Sequence, residues 1–194
     1  MIGVTGKNST IAQAFLERYW RDKKVCFARL PKDLSLSCSH YLLCAGVLVG
    51  KKSRQMSADE IADTFWVNYI DVVQFCDYIF SYNPKAKVCV VGSMSGIAGS
   101  YDDLYAGSKA ALHLYVQTKK LEFAQQQLFA IAPTVIEDSG MTQRRRDLVG
   151  VIERGKQRRR HHWITAAEVA HMIHSCFNNS AICNTVIQMT GGNW

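Results

Sequence analysis

At 194 residues the chain suits one domain with a sizeable buried core, and 48% apolar against 20% charged residues is the balance of a globular protein rather than a disordered or fibrous one. Seven cysteines without a Cys-x-x-Cys pair, several inside apolar runs such as "KVCVVG", speak against a disulfide scaffold and offer no metal-ligand spacing. The net charge of +7 is local: residues 143–162 carry seven arginines and one lysine against two acids, which leaves one positive charge for everything else.

In chain order, "MIGVTG", "KKVCFAR", "HYLLCAG", "KVCVVGS", "QLFAIAP" and "NTVIQMTGG" read as buried strands, apolar on both faces. Between them, "STIAQAFLERYWRD", a segment from about 58 to 82, another from about 105 to 126, and "TAAEVAHMIHSCFNNS" carry apolar residues at helical spacing. Ser57 with Glu60, and Thr165 with Glu168, are capping boxes, and Pro84 ends the second helix. Alternating strands and helices predict a doubly wound α/β fold in one domain, residues 1–194, with a parallel sheet covered on both faces. Ligands of such sheets sit beyond the carboxyl ends of the strands. No basic leader precedes an apolar run, and "YLLCAGVLVG" is about half of the ~20 residues a bilayer span needs, so the expectation is a cytoplasmic protein away from membranes.

The first strand turns into its helix at Gly6, and the amides from Ser9 through Thr10 to Ile11 either receive a phosphate or form a plain N-cap. Where the second strand ends stands Arg29, which suits a 2′-phosphate or is a solvated strand-end cation. Residues 88–109, "VCVVGSMSGIAGSYDDLYAGSK", put Ser93 at a strand's carboxyl end and Tyr105 with Lys109 in the first turns of the next helix. Four-residue spacing places the phenol and the ammonium on one face, where the charge favours the phenolate. A second pair of the same spacing, Tyr115 and Lys119, lies about 15 Å further along and roughly 80° around the helix, and is read as packing.

"TGKNSTIA", "LLCAG", "VNYIDVV", "GSMSGIAG", "YAGSKAAL", "AIAPTVIEDSGMT", "TAAEVAHMI" and "NTVIQMTGG" occur in the order in which the short-chain dehydrogenase/reductase family carries its motifs, and the chain resembles that family over nearly its whole length. The resemblance implies a Rossmann-like fold and an oxidoreductase that interconverts a carbonyl and an alcohol with NADP(H) or NAD(H), the former preferred. It implies Tyr105 as acid/base, Lys109 lowering its pKa, Ser93 polarising the carbonyl and Asn68 anchoring a proton-relay water. For the cofactor it implies Gly6, Ser9, Thr10, Ile11, Arg29, Ala45, Gly46, Pro133, Tyr105 and Lys109, and it implies a homo-oligomer, dimer or tetramer, built on the two long helices and the terminal strand.

Three departures stand out. The nucleotide turn keeps only Gly6, with Thr10 and Ala12 at the later glycine positions. Pro133-Thr134 replaces the family's Pro-Gly. Between Arg29 and "HYLLCAG" only "LPKDLSLSCS" remains, too short for the helix, strand and helix the family places between its second and fourth strands. The outer strand is therefore expected to be lost or reduced to "DLSLS", with Asp33 as a candidate adenine contact. The arginine-rich residues 143–162 occupy the substrate-loop and lid position, where they read as a site for an anionic small-molecule substrate, as a nucleic-acid contact, or as a solvated loop. Beside the oxidoreductase stand two rivals, a non-catalytic nucleotide-binding or scaffold protein on the same fold, and a nucleic-acid binder acting through the arginines.

Overall fold

The computed structural model describes residues 1–143, 149, 150, 153 and 162–192. Most of the arginine-rich segment, and with it the lid, anionic-substrate and nucleic-acid readings, therefore lies outside the described residues.

Six parallel strands, β1 (Ile2–Thr5), β2 (Val25–Ala28), β3 (His40–Leu43), β4 (Lys87–Val91), β5 (Gln127–Pro133) and β6 (Thr185–Met189), form one sheet in the order β2-β1-β3-β4-β5-β6. The helices are α1 (Thr10–Tyr19), α2 (Ala58–Phe65), α3 (Asp71–Tyr82), α4 (Ser95–Ala98), α5 (Asp103–Thr118), α6 (Gly140–Gln143) and α7 (Ala166–Phe177). The strands are doubly apolar because both faces are covered: Ile2, Val4, Leu42, Cys89, Phe129 and Ile131 meet α1 and α7 on one side. Tyr41, Leu43, Val88, Val90, Leu128 and Ala130 meet α3 and α5 on the other. Each fully buried Leu, Ile or Phe here contributes about 1.5–3 kcal/mol. None of the described helices is long and apolar enough to cross a membrane.

The chain reverses its direction across the sheet between β1 and β3, so the crevice opens beyond Thr5 and Leu43. "DLSLS" forms no strand, and β2 is left as the edge. Residues 29–39 make the whole return from β2 to β3 with only a 3₁₀ turn at Pro31–Asp33. Leu34 and Tyr41 cover β1 at Gly3, where a Cβ would sit 2.9 Å from the Tyr41 ring. The Tyr41 hydroxyl donates to Ser35 O, and the Asn83 amide donates to Leu36 O and Cys38 O. Side chains thus take over the packing that a crossover helix supplies, in a connection too short to contain one.

Two helices differ from their sequence pattern. The segment predicted from about 58 to 82 is interrupted by a π turn at Trp66–Ile70, and the one predicted to about 126 ends at Thr118. Its last carbonyls are taken from outside: Asn184, in the left-handed region at φ 49°, donates from Nδ2 to Val116 O and Lys119 O. Gln126 Oε1 then accepts from the amides of Glu122 and Phe123, which holds residues 119–126 in a turn that leads into β5.

Candidate active site

The first turn is built on a contact only glycine allows. Gly6 has φ +66°, and a Cβ there would lie 2.8 Å from the Ala45 nitrogen and from the Cys44 carbonyl carbon. The end of β1 is thereby pressed onto the end of β3, and Thr5 Oγ1 accepts the Ala45 amide at 3.3 Å. Ser9 occupies the N-cap of α1 without capping it by its side chain, so the first-turn amides at Thr10 and Ile11, which have no intrahelical acceptor, are not blocked by that hydroxyl. The Ile11 side chain turns into the core. Arg29 is exposed directly after β2, and Asp33 is exposed in the 3₁₀ turn.

At the centre of the sheet, β4 delivers Ser93. The Gly92 amide donates to Ile131 O and that of Met94 to Pro133 O, so the buried Pro133 closing β5 holds the serine loop by its carbonyl. Ser93 Oγ accepts the Ser95 amide at 3.1 Å, and its own O–H remains to be given. The segment between Ser93 and α5 contains the single turn α4.

Helix α5 starts at a carboxylate. Asp102, 1% exposed, accepts the Tyr105 amide at Oδ1 and the Gly50 amide at Oδ2, both at 2.9 Å, and so ties the loop after β3 to the first turn of α5. Tyr105 and Lys109 follow, both buried, with the Lys109 ammonium 5.9 Å from the centre of the Tyr105 ring. Lys109 Nζ donates to Val91 O at 2.8 Å. Burial, opposed weakly by the nearby Cys44, lowers the Lys109 pKa to about 8.

Asn68 enters from the π turn, which shifts the following residues around the helix and aims this one side chain inward. It is fully buried; Oδ1 accepts the Val47 amide, while Nδ2 donates to Val47 O and to Ser108 Oγ. One lone pair of Oδ1 remains for a water. Gly46 lies between these groups: a Cβ there would be 3.3 Å from Asn68 Oδ1 and 3.8 Å from Lys109 Nζ. Asn68, Lys109, Tyr105 and Gly46 are therefore gathered at one end of the sheet, with Ser93 at the exit of β4.

The second tyrosine–lysine pair is structural. Asp77 on α3 accepts from the Tyr115 hydroxyl at 2.7 Å and from Lys119 Nζ at 2.6 Å, an exposed tie between α3 and α5. Burial first, and then the neighbouring Cys76 and the Asp77 carboxylate, push the Tyr115 phenol up, away from proton exchange. Sequence reasoning missed Asp102 and His113. The first had a signal in its position three residues before Tyr105, that of an N-cap, and the second in its position four residues after Lys109.

No curated protein matches this chain by sequence. Among solved structures, the ligand-free aldohexose dehydrogenase of Thermoplasma acidophilum superposes with a TM-score of 0.83 at 19% identity, over 99% of this chain and 93% of the other. A small-chain dehydrogenase in complex with NADPH gives 0.80 at 16%, over 98% and 96%. A 4-hydroxyisoleucine dehydrogenase complexed with NADH gives 0.80 at 16%, over 98% and 97%. At these identities the likeness establishes the fold. A family model described as short chain dehydrogenase matches residues 41–149, more than half of the sequence, from β3 through the serine loop and α5. The chain belongs to the short chain dehydrogenase family of oxidoreductases.

Proposed function

We propose that the protein interconverts a carbonyl and an alcohol with a nicotinamide cofactor, NADP(H) in preference to NAD(H). The reading is carried by one observation: a buried ammonium and a buried phenol one helical turn apart in the first turns of α5, with the ammonium beside Gly46 at the carboxyl end of a parallel sheet.

The residues fit such a cofactor. Gly46 leaves open the space beside Lys109 Nζ and Asn68 that any side chain would fill, Gly6 packs the turn into α1 against the end of β3, and the first-turn amides of α1 have no side-chain cap from Ser9. Gly6, Ser9, Thr10 and Ile11 would hold the pyrophosphate, Ala45, Gly46 and Pro133 would line the nicotinamide half, and Tyr105 and Lys109 would meet its ribose. When bound, the cofactor supplies or accepts the hydride. In the reducing direction Tyr105 gives its proton to the carbonyl oxygen, and Ser93 donates a hydrogen bond to the same oxygen. Lys109 stabilises the phenolate that remains. Asn68, committed to Val47 and Ser108, holds the loop after β3 and keeps one lone pair for a relay water.

Calorimetry with NADPH and NADH, followed by turnover on a carbonyl panel, tests the reading. Absence of binding at millimolar cofactor would favour the scaffold protein. The NADP preference rests on Arg29, exposed where the ribose phosphate would lie. Arg29→Asp is expected to weaken NADPH about 10- to 100-fold and to leave NADH within a few-fold, the range for losing one charge-assisted hydrogen bond. Equal weakening of both cofactors would remove that role.

We also place this chain in the cytoplasm, as a single domain that includes residues 143–162, and as a homo-oligomer. The oligomer rests on apolar side chains left exposed on the helices: Ile61, Trp66 and Leu114 are 37%, 50% and 62% accessible. Light scattering is expected to return at least twice the 21.8 kDa chain mass, and a monomer would overturn it.

A further inference from the structure

We propose that His113 is a positioning residue for the active site, holding Ser93 in place by accepting its main-chain N–H. The proposal rests on the role just assigned to Ser93.

Tyr105, Lys109 and His113 follow one another at four-residue spacing along one face of α5. The third of them reaches under the serine loop. Its Nε2 accepts the Ser93 amide at 3.3 Å, and the residue is 5% exposed. The loop is shaped to admit the ring: a Cβ on Gly92 would lie 2.3 Å from Nε2, and one on Gly96 would lie 3.0 Å from Cε1. A side chain at Gly92 would displace the imidazole, and one at Gly96 would meet the α5 main chain at Lys109 and Ala110 as well as the ring.

The amides of the loop show why the contact matters. Those of Gly92, Met94 and Gly96 donate to main-chain carbonyls, and that of Ser95 to the Ser93 hydroxyl. The Ser93 amide alone in this run takes its acceptor from a side chain of another element. Because Nε2 accepts, the ring proton sits on Nδ1, which is buried without a partner among the described residues. A leucine or phenylalanine would fill such a space without an orphaned donor. Keeping the imidazole in spite of that donor points to the acceptor at Nε2 as the property this position uses. Burial, and then the Lys109 charge, lower the His113 pKa to about 4, so the acceptor persists at neutral pH.

Two variants and one spectroscopic measurement test this on the full chain. His113→Leu removes the acceptor at similar volume, while His113→Gln offers a side-chain carbonyl to the same amide. His113→Leu is expected to lower kcat about 10- to 100-fold, the effect of a misplaced catalytic group, with the dissociation constant for NADPH unchanged. His113→Gln is expected to recover to within about threefold of wild type, a rescue that simple space-filling would not produce. Independently of turnover, ¹⁵N spectra of the wild type at neutral pH should show the His113 proton on Nδ1. Exchange of the Ser93 amide should accelerate at least about tenfold in His113→Leu and recover in His113→Gln. A proton found on Nε2, unchanged Ser93 exchange in His113→Leu, or equal kcat in wild type and His113→Leu each overturns the proposal. If the wild type turns over no carbonyl at all, the enzymatic reading fails by itself, and with it the catalytic consequence. The exchange and tautomer data then still decide whether His113 holds the Ser93 amide.

Discussion

Tyr105→Phe is expected to lower kcat about 10³-fold on any carbonyl the enzyme reduces, within the 10²–10⁴ range typical of a lost general acid. The change removes one oxygen from a ring that is 7% exposed, so packing in the first turns of α5 stays as it is. The turn itself is held by the Asp102 carboxylate on the Tyr105 main-chain amide, a contact the substitution does not touch. Cofactor affinity should therefore fall by no more than a few-fold, and the thermal midpoint should stay within a few degrees. An effect confined to kcat separates a proton donor from a binding group, because uniform binding losses raise KM and leave kcat alone. Tyr115→Phe is the matched control: it breaks the tie to Asp77, remote from the crevice, and should leave kcat within about twofold. Steady-state kinetics on both variants settles the point, and a Tyr105→Phe enzyme with wild-type kcat would remove Tyr105 as the acid.

What the sequence makes legible here is the part governed by short-range pattern. The four inner strands are apolar on both faces because each lies between two helical layers; the edge strands β2 and β6 are only partly covered, with Phe27 exposed, but carry enough of the same pattern to be located as well. Ser93, Tyr105 and Lys109 are readable because a strand end followed by a helix start has only one side that faces the ligand. The hidden features depend on contacts far apart in the chain. Nothing in "FWVNYI" marks a π turn, since a regular helix would bury nearly the same apolar residues; the wider turn exists because Asn68 has to meet Val47 and Ser108. Likewise, "KKLEFAQQQ" continues the helical spacing past Thr118, but Asn184 and Gln126 claim the polar groups a further turn would use. His113 looks like one polar residue on an apolar stripe until Gly92 and Gly96 close over it. The missing outer strand was legible from length alone, whereas its replacement by Tyr41 and Leu34 over Gly3 was not.

Lys109→Met is expected to separate function from stability in opposite directions. Lys109 is 4% exposed, and its pKa drops from 10.5 to about 8 because burial penalises the ammonium. Below about pH 8 the group is charged in both folded and unfolded chains, so the folded state bears the full cost, about 3 kcal/mol for a shift of this size. Between about 8 and 10.5 the folded chain gives up its proton before the unfolded chain does. The unfolded state then binds more protons, and wild-type stability rises with pH through that window. Methionine carries no charge and nearly fills the same volume, so the variant loses only the bond from the charged donor to Val91 O, about 1.5–3 kcal/mol. The variant should thus be the more stable protein at pH 7 by up to about 1.5 kcal/mol, and its advantage should disappear and reverse before pH 10.5. Urea unfolding of both proteins at several pH values reads that difference, and subtracting one curve from the other cancels the groups they share. Over the same range wild-type kcat/KM for reduction should fall as pH passes about 8, because the cation that stabilises the phenolate is lost. Lys109→Met should lie about 10³-fold lower and lack that limb. A variant less stable than wild type at pH 7 would mean that the ammonium holds the fold together, and Lys109 would then belong to the scaffold and not to the chemistry.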